Sequence, residues 1–353
     1  MLLKELSEAR GVSGAEDAVR DLILDAVRDL IDEHRVDALG NLICIKHGSN
    51  RDDPNQDPKK VMIAAHMDEV GFMVTRINKD GSLRIETVGG LDDRILLSKV
   101  VLVGEDAGDG PVAGVLGFKP IHLIPRDQRG TVPKIKDLAV DIGASDQADA
   151  EKRVKCGDYV SFQVDYEVLD EGGLRTVKGK AFDDRVGCAI LIEILRQRYA
   201  FDLYAVFTTQ EEVGLRGARV AAYAVDPDVA FALEGTICDD LPSDEDQSPV
   251  TEVGKGPAIT LMDASFIADR RLVRLLTETA EAKGLPYQFK RAVAGGTDSG
   301  AIHLAREGVP SVTVAVPCRY IHAPVSLLSL ADAEHTVQLM VAALQKLEEG
   351  LSS

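Results

Sequence analysis

The chain has 353 residues and a formal net charge of −18, with 45% hydrophobic and 28% charged residues. That length builds one large domain or two ordinary ones, and the acidic excess argues against nucleic acid and anionic membrane surfaces, which select basic patches. With no Trp, no run near the roughly 18 apolar residues of a membrane span and no apolar core of a secretory signal at the N-terminus, a cytoplasmic protein without a base- or sugar-stacking platform is expected.

The first predicted helix covers residues 2–10 and a second runs from Ala15 to about Asp32, with Val19, Leu22, Ile23, Val27, Leu30 and Ile31 at helical spacing. Val36 to His47 alternates around Gly40-Asn41 as a hairpin, residues 48–60 read as a surface loop, and Val61 to Ala65 is a buried strand. From about Gly71 the texture changes to short alternating stretches separated by Gly and Asp: 72–77, 82–88, 99–103, 112–118, 138–142 and 159–164. This is the pattern of a small all-β insertion, within which Arg126 to Lys136 reads as a mobile basic loop. After Asp184 helices (186–197, 215–223, 270–283, 302–307, 330–351) alternate with strands (203–208, 229–233, 258–261, 311–316). The expected fold class is therefore α/β, a mostly parallel central sheet with helices on both faces plus the inserted β domain.

Ligands of such sheets sit at the carboxyl ends of the strands, and polar clusters fall there. His66 closes the strand 61–65, and Asp68, two residues on, shares its side of an extended segment. Asp183-Asp184 precede a helix, where capping alone would also place acids. Glu211-Glu212 follow the strand 203–208; in extended chain one would reach a metal and the other a water. Glu234 ends an apolar run, a costly place for an unpaired carboxylate, and His322 follows the strand 311–316. Imidazoles mixed with carboxylates suit zinc, cobalt or manganese, and five ligands sharing one carboxylate suggest two ions and an activated water. The five cysteines are scattered, without a Cys-x-x-Cys pair, and read as reduced thiols.

Five stretches together resemble the TET (tetrahedral) or glutamyl aminopeptidases, whose members also carry the label cellulase M: Ala65–Phe72, Ala181–Gly187, Gln210–Ala218, Gly295–Gly300 and Tyr320–Ala323. The resemblance spans essentially the whole chain. It implies a dinuclear metallo-aminopeptidase with catalytic residues 1–71 and 168–353, and an inserted β-rich (PDZ-like or barrel) dimerisation domain at 72–167. It implies His66, Asp183 and Glu234 on one Zn2+ or Co2+ ion, and Asp183, Glu212 and His322 on the other, with Mn2+ as a further option. Glu211 becomes the general base, Asp68 the orienter of His66, and the Asp183–Asp184 bond cis. Position 234 departs from the family's usual Asp. The family further implies peptide substrates and a homo-oligomer, a dodecamer built from dimers. Pro120–Leu123 matches a family Pro/His pattern, and His122 is taken as structural in preference to a role in a neighbouring active site. The Gly295–Gly300 loop lacks the Walker lysine, so it is read as backbone packed close to substrate. A neutral aliphatic first residue is the expected preference. The rival readings are an inactive assembly protein on the same fold and a glycoside hydrolase.

Overall fold

The structure, a computed structural model, describes residues 1–49, 59–105, 110–241 and 249–351. Most of the expected surface loop 48–60 lies outside these residues. The chain opens with helices α1 (Leu3–Glu8) and α2 (Asp17–Val27) and the antiparallel hairpin β1 (Glu33–Val36) and β2 (Leu42–Lys46). Helix α2 stops earlier than its apolar spacing suggests, because the chain turns after it to pair Glu33 with Ile45. Strand β3 (Lys60–His66) follows, buried from Val61 to His66.

The insertion forms six strands: β4 (Gly71–Ile77), β5 (Leu83–Val88), β6 (Val100–Val103), β7 (Val112–Gly117), β8 (Ala139–Asp141) and β9 (Tyr159–Phe162). They close into an antiparallel barrel in the order β4-β5-β8-β7-β6-β9, so no edge is left to aggregate. All six alternating stretches of the sequence are strands of this barrel. Alternate residues such as Phe72, Val74, Val101, Val103 and Val160 fill its interior, with Phe72 packed edge-on to Phe162 at 5.4 Å. The basic stretch 126–136 is exposed and carries two short 3-10 turns. A one-turn helix, α3 (Gln147–Ala150), leads toward β9.

The chain then returns through β10 (Glu167–Val168), β11 (Thr176–Gly179), α4 (Phe182–Ile194), β12 (Asp202–Thr208), α5 (Arg216–Val225) and β13 (Val229–Cys238). It ends with β14 (Ala258–Thr260), α6 (Arg270–Lys283), β15 (Gln288–Phe289), α7 (Ser299–Ile302), β16 (Ser311–Arg319), β17 (Ser326–Ser329) and α8 (Leu330–Leu351). The main sheet has eleven strands in the order β1-β2-β12-β3-β13-β16-β17-β11-β10, with β14 and β15 branching from β16. Its middle, β12-β3-β13-β16, is parallel and its flanks are antiparallel. Val61, Ile63 and Ala65 of β3 pack on the face covered by α1, α2, α4, α6 and α8, while Met62 and Ala64 pack toward α5 and α7. Burial on both faces explains why these strands read as continuous apolar runs. Helix α7 begins at Ser299, not at Ile302, because the chain enters it directly from the Gly295–Thr297 loop.

Candidate metal centre

The carboxyl ends of the parallel strands bring the sequence-predicted site residues together. His66 ends β3 and pairs with Thr208 at the end of β12. On the other side Ala232 of β13 pairs with Ala64, which carries Glu234 to the level of His66. Asp183 enters from the non-helical first turn of α4, where the Asp183–Asp184 peptide is cis. Glu211 and Glu212 do not continue β12 as extended chain. They lie just beyond Gln210, whose left-handed φ of 55° turns the backbone so that both side chains reach the same cluster. His322 arrives from the turn after β16, itself at a left-handed φ of 56°.

The distances between these groups are informative. His66 Nε2 lies 3.4 Å from Asp183 Oδ1 and 3.5 Å from Glu234 Oε2. His322 Nε2 lies 3.6 Å from Asp183 Oδ2 and 3.4 Å from Glu212 Oε2. These separations exceed the roughly 2.7–2.9 Å of a charge-assisted hydrogen bond. They match the edge of a tetrahedron of ligands around an ion at about 2.1 Å, which geometry puts near 3.4 Å. Each oxygen of Asp183 faces a different imidazole. Both rings are also fixed from behind: His66 Nδ1 meets the Asp68 carbonyl at 3.1 Å and His322 Nδ1 the Gly90 carbonyl at 3.0 Å. A ring that donates Nδ1–H to a carbonyl presents the Nε2 lone pair to the centre. Gly90 belongs to the loop between β5 and β6, so the insertion completes the site. The donor set therefore fits two divalent cations.

A second layer holds the carboxylates. Four successive backbone amides after β12 are each accepted by a buried side chain: Thr209 by Asn41 Oδ1 (2.9 Å), Gln210 by Glu16 Oε1 (3.1 Å), Glu211 by Asp68 Oδ1 (3.0 Å) and Glu212 by Asp68 Oδ2 (3.1 Å). Asp68 Oδ2 also accepts from Ser13 Oγ at 2.6 Å, whereas its Oδ1 is 3.5 Å from His66 Nδ1. The Asp68 carboxylate thus makes its short bonds to the glutamate turn, and its main-chain carbonyl makes the short contact to the imidazole. Asp184 accepts the backbone N–H of His66 (3.1 Å) and of Gly187 (2.9 Å). Asp298, from the loop before α7, donates its N–H to Glu234 Oε1 (3.2 Å) and leaves Oε2 for the centre. Arg185, fully buried, donates to the carbonyls of Met67, Leu6 and Ala9, and Lys180 pairs with Glu69 at 2.6 Å. Sequence reasoning missed Glu16, Asn41 and Gly90, because nothing in their local pattern shows which amide or ring they will meet; Asp298 lies in the Gly295–Gly300 stretch singled out there, but without a role.

The electrostatics ask for cations. Burial pushes the carboxyls of Glu211 and Glu234 well above the usual range, and neighbouring carboxylates add to it. Burial also raises Glu212, to about 7, although His322 partly relieves it. Burial opposes the charge on Asp183 too, yet His322 and His66 hold its carboxyl well below the usual range. It likewise disfavours a charged His322, but Asp183 and Glu212 carry that imidazole up to about 9. Four carboxylates so close cannot all ionise without added positive charge. Beside the cluster opens a cleft of about 670 Å³, walled by Thr236, Ile237, Ala294, Gly295, Gly296 and Tyr320 among others. His122 sits on an exposed turn of the barrel, outside the cluster formed by this chain.

A parallel-cored α/β sheet with an inserted barrel carries this cluster at its edge, and likeness to known proteins makes the chain a peptide hydrolase. A family model described as M42 glutamyl aminopeptidase matches residues 40–339, and the chain belongs to that family. It is 35% identical to a lysyl aminopeptidase of Pyrococcus furiosus, over 98% of this chain and 97% of the relative. Among solved structures it resembles a TET aminopeptidase from a marine sediment archaeon of the Thaumarchaeota, with 37% identity, 98% and 96% coverage and a TM-score of 0.92. It also resembles a TET1 peptidase of Pyrococcus horikoshii that can assemble into a tetrahedron or a large octahedral shell, with 34% identity, 96% and 97% coverage and a TM-score of 0.83.

Proposed function

We propose that this chain is a dinuclear metallo-aminopeptidase that removes the first residue of peptides. His66, Asp183 and Glu234 hold one ion, and Asp183, Glu212 and His322 hold the other, with zinc or cobalt, or manganese, as the metal. The observation that carries this reading is the pair of imidazoles, each locked at Nδ1 and each facing a different oxygen of Asp183 at 3.4–3.6 Å. When bound, the ions supply Lewis acidity that polarises the scissile carbonyl and acidifies water.

The remaining steps belong to the chain. Glu211 Oε2, 3.8 Å from His66 Nε2, takes the proton of the attacking water. It then returns that proton to the leaving amine. Asp68 and Glu16 keep Glu211 in place through its own and the preceding backbone amide. The negative cluster accepts the substrate ammonium. Leu215, Ile237 and Ala294 line the cleft and would receive the neutral aliphatic first residue expected from sequence.

The proposal extends to assembly. Residues 72–167 form the dimerisation unit and dimers build a cytoplasmic dodecamer, a reading supported by the shells of the Pyrococcus horikoshii relative. A glycoside hydrolase fits poorly: the ligand atoms of His66, Glu211 and Glu212 lie within 4.8 Å of one another, closer than the roughly 5–10 Å between carboxylates flanking a sugar. An inactive scaffold fits poorly as well, since every ligand position is filled. Glu211→Gln decides the mechanism. Metal content should stay at wild-type level while kcat falls by about 10²–10⁴-fold, and retained turnover would sink the role given to Glu211.

A further inference from the structure

The Gly295–Gly300 stretch meets the metal centre at one residue, Asp298. Its backbone N–H reaches Glu234 Oε1 at 3.2 Å, and its buried carboxylate accepts from Thr208 Oγ1 at 2.5 Å. Thr208 ends β12 opposite His66 of β3, and Glu234 lies on β13, the strand on the far side of β3. Thr208, Asp298 and Glu234 therefore bridge the end of the strand that carries His66. The loop is held from behind, with the Gly295 carbonyl accepting the Ala264 N–H at 2.9 Å and Thr297 Oγ1 donating to Asp263 Oδ2 at 3.1 Å. Gly300 lies so close to Ser265 that a Cβ there has no room. The Asp298 side chain itself has one anchor. Among the described residues its Oδ1 finds no donor, so the Thr208 hydroxyl alone ties the carboxylate. A buried carboxylate so sparsely bonded is costly, and packing gives no reason for it.

We infer that Thr208 and Asp298 are positioning residues that hold Glu234 to one metal-facing oxygen and so bias the His66 ion toward cobalt or zinc over manganese. This rests on the dinuclear reading of the cluster. With Oε1 accepting the Asp298 N–H, Glu234 offers an ion only Oε2, which lies 3.5 Å from His66 Nε2. The arm at position 234 is one methylene longer than the aspartate usual in the family, so it turns more freely and needs the restraint. A set of few ligands suits zinc and cobalt, whereas manganese favours six oxygen-rich positions. The Thr208–Asp298 bond fixes where the amide points. Without it, Oε1 is free to join Oε2 on the ion.

The test uses the full-length His322→Ala chain, stripped of metal, in which the ion on His66, Asp183 and Glu234 is the one that rebinds. Cobalt and manganese are titrated in separately by calorimetry, and the visible absorption of bound cobalt is recorded. Thr208→Val and Asp298→Ala should each weaken cobalt binding about 10- to 100-fold. Manganese should weaken less, so the cobalt-to-manganese affinity ratio falls about tenfold. The cobalt band should lose intensity as the freed oxygen adds a ligand. Thr208→Ser keeps the hydroxyl and should bind both metals as the parent does. Thr208→Val with Asp298→Ala should do no more than either alone, because both break one bond. Parent-like affinities in the two single variants overturn the inference and leave the dinuclear reading standing. So does equal weakening of cobalt and manganese, which is what a merely structural role produces. A His322→Ala chain that binds no ion overturns both.

Discussion

Asp68→Asn exchanges one oxygen for an NH2 group where much of the site's backbone converges. The wild-type carboxylate accepts from Ser13 Oγ and from the amides of Glu211 and Glu212. An asparagine keeps one acceptor, and its NH2 must then face one of the two amides. The lost bond to a charged acceptor is worth about 1.5–3 kcal/mol, and the stranded buried N–H costs about 1–3 kcal/mol more. The turn borders the cleft and relaxes partly toward water, so a total of about 2–4 kcal/mol is expected. At roughly 1.4 kcal/mol per tenfold in rate, kcat should fall about 10- to 100-fold, with the rest of the cost appearing as a lower unfolding midpoint. Two ions should stay bound, because His66 Nδ1 keeps the main-chain carbonyl of residue 68 as its acceptor. The assay is kcat at saturating zinc or cobalt, beside metal content after dialysis. A variant that loses an ion, yet turns over normally once reloaded, would show that the carboxylate serves the imidazole and not the glutamate turn.

Glu16 offers a pH test. Burial and then Asp68 raise its carboxyl from 4.5 to about 7, so between those values the native state binds more protons than the unfolded chain and stability falls as pH rises. Glu16→Gln keeps an acceptor for the Gln210 amide without the charge, so urea midpoints should show the variant gaining on wild type from pH 5 to pH 8, by on the order of 3 kcal/mol at most; parallel pH profiles would contradict this. Arg185→Met strands the carbonyls of Leu6 and Met67 inside the protein, while Ala9 keeps its bond from Lys180, and should cost about 3–5 kcal/mol in chemical unfolding. A loss below about 1 kcal/mol would mean that those carbonyls find other partners.

The sequence shows the fold most clearly where one face of an element is buried continuously. The barrel strands alternate and the central strands are apolar throughout, so both declare themselves. The short antiparallel strands β10, β11 and β17 do not, because their pairing is set by neighbours far along the chain. Among the site residues, His66, Asp183, Glu211, Glu212, Glu234 and His322 stand out as polar groups at the ends of apolar runs. Glu16, Asn41 and Gly90 act through hydrogen bonds over separations of 168 to 232 residues, and only the folded chain shows them.

The central claim, two cations at one sheet edge driving peptide hydrolysis, is tested most directly by titrating chelator-stripped protein with cobalt or zinc. Bound metal and aminoacyl-anilide hydrolysis are followed together. The expected result is an inactive stripped protein that binds two ions per chain and regains turnover as they bind, with His322→Ala saturating at one ion. Hydrolysis that persists in the stripped protein, or full activity at one ion per chain with no second binding event, would contradict the account.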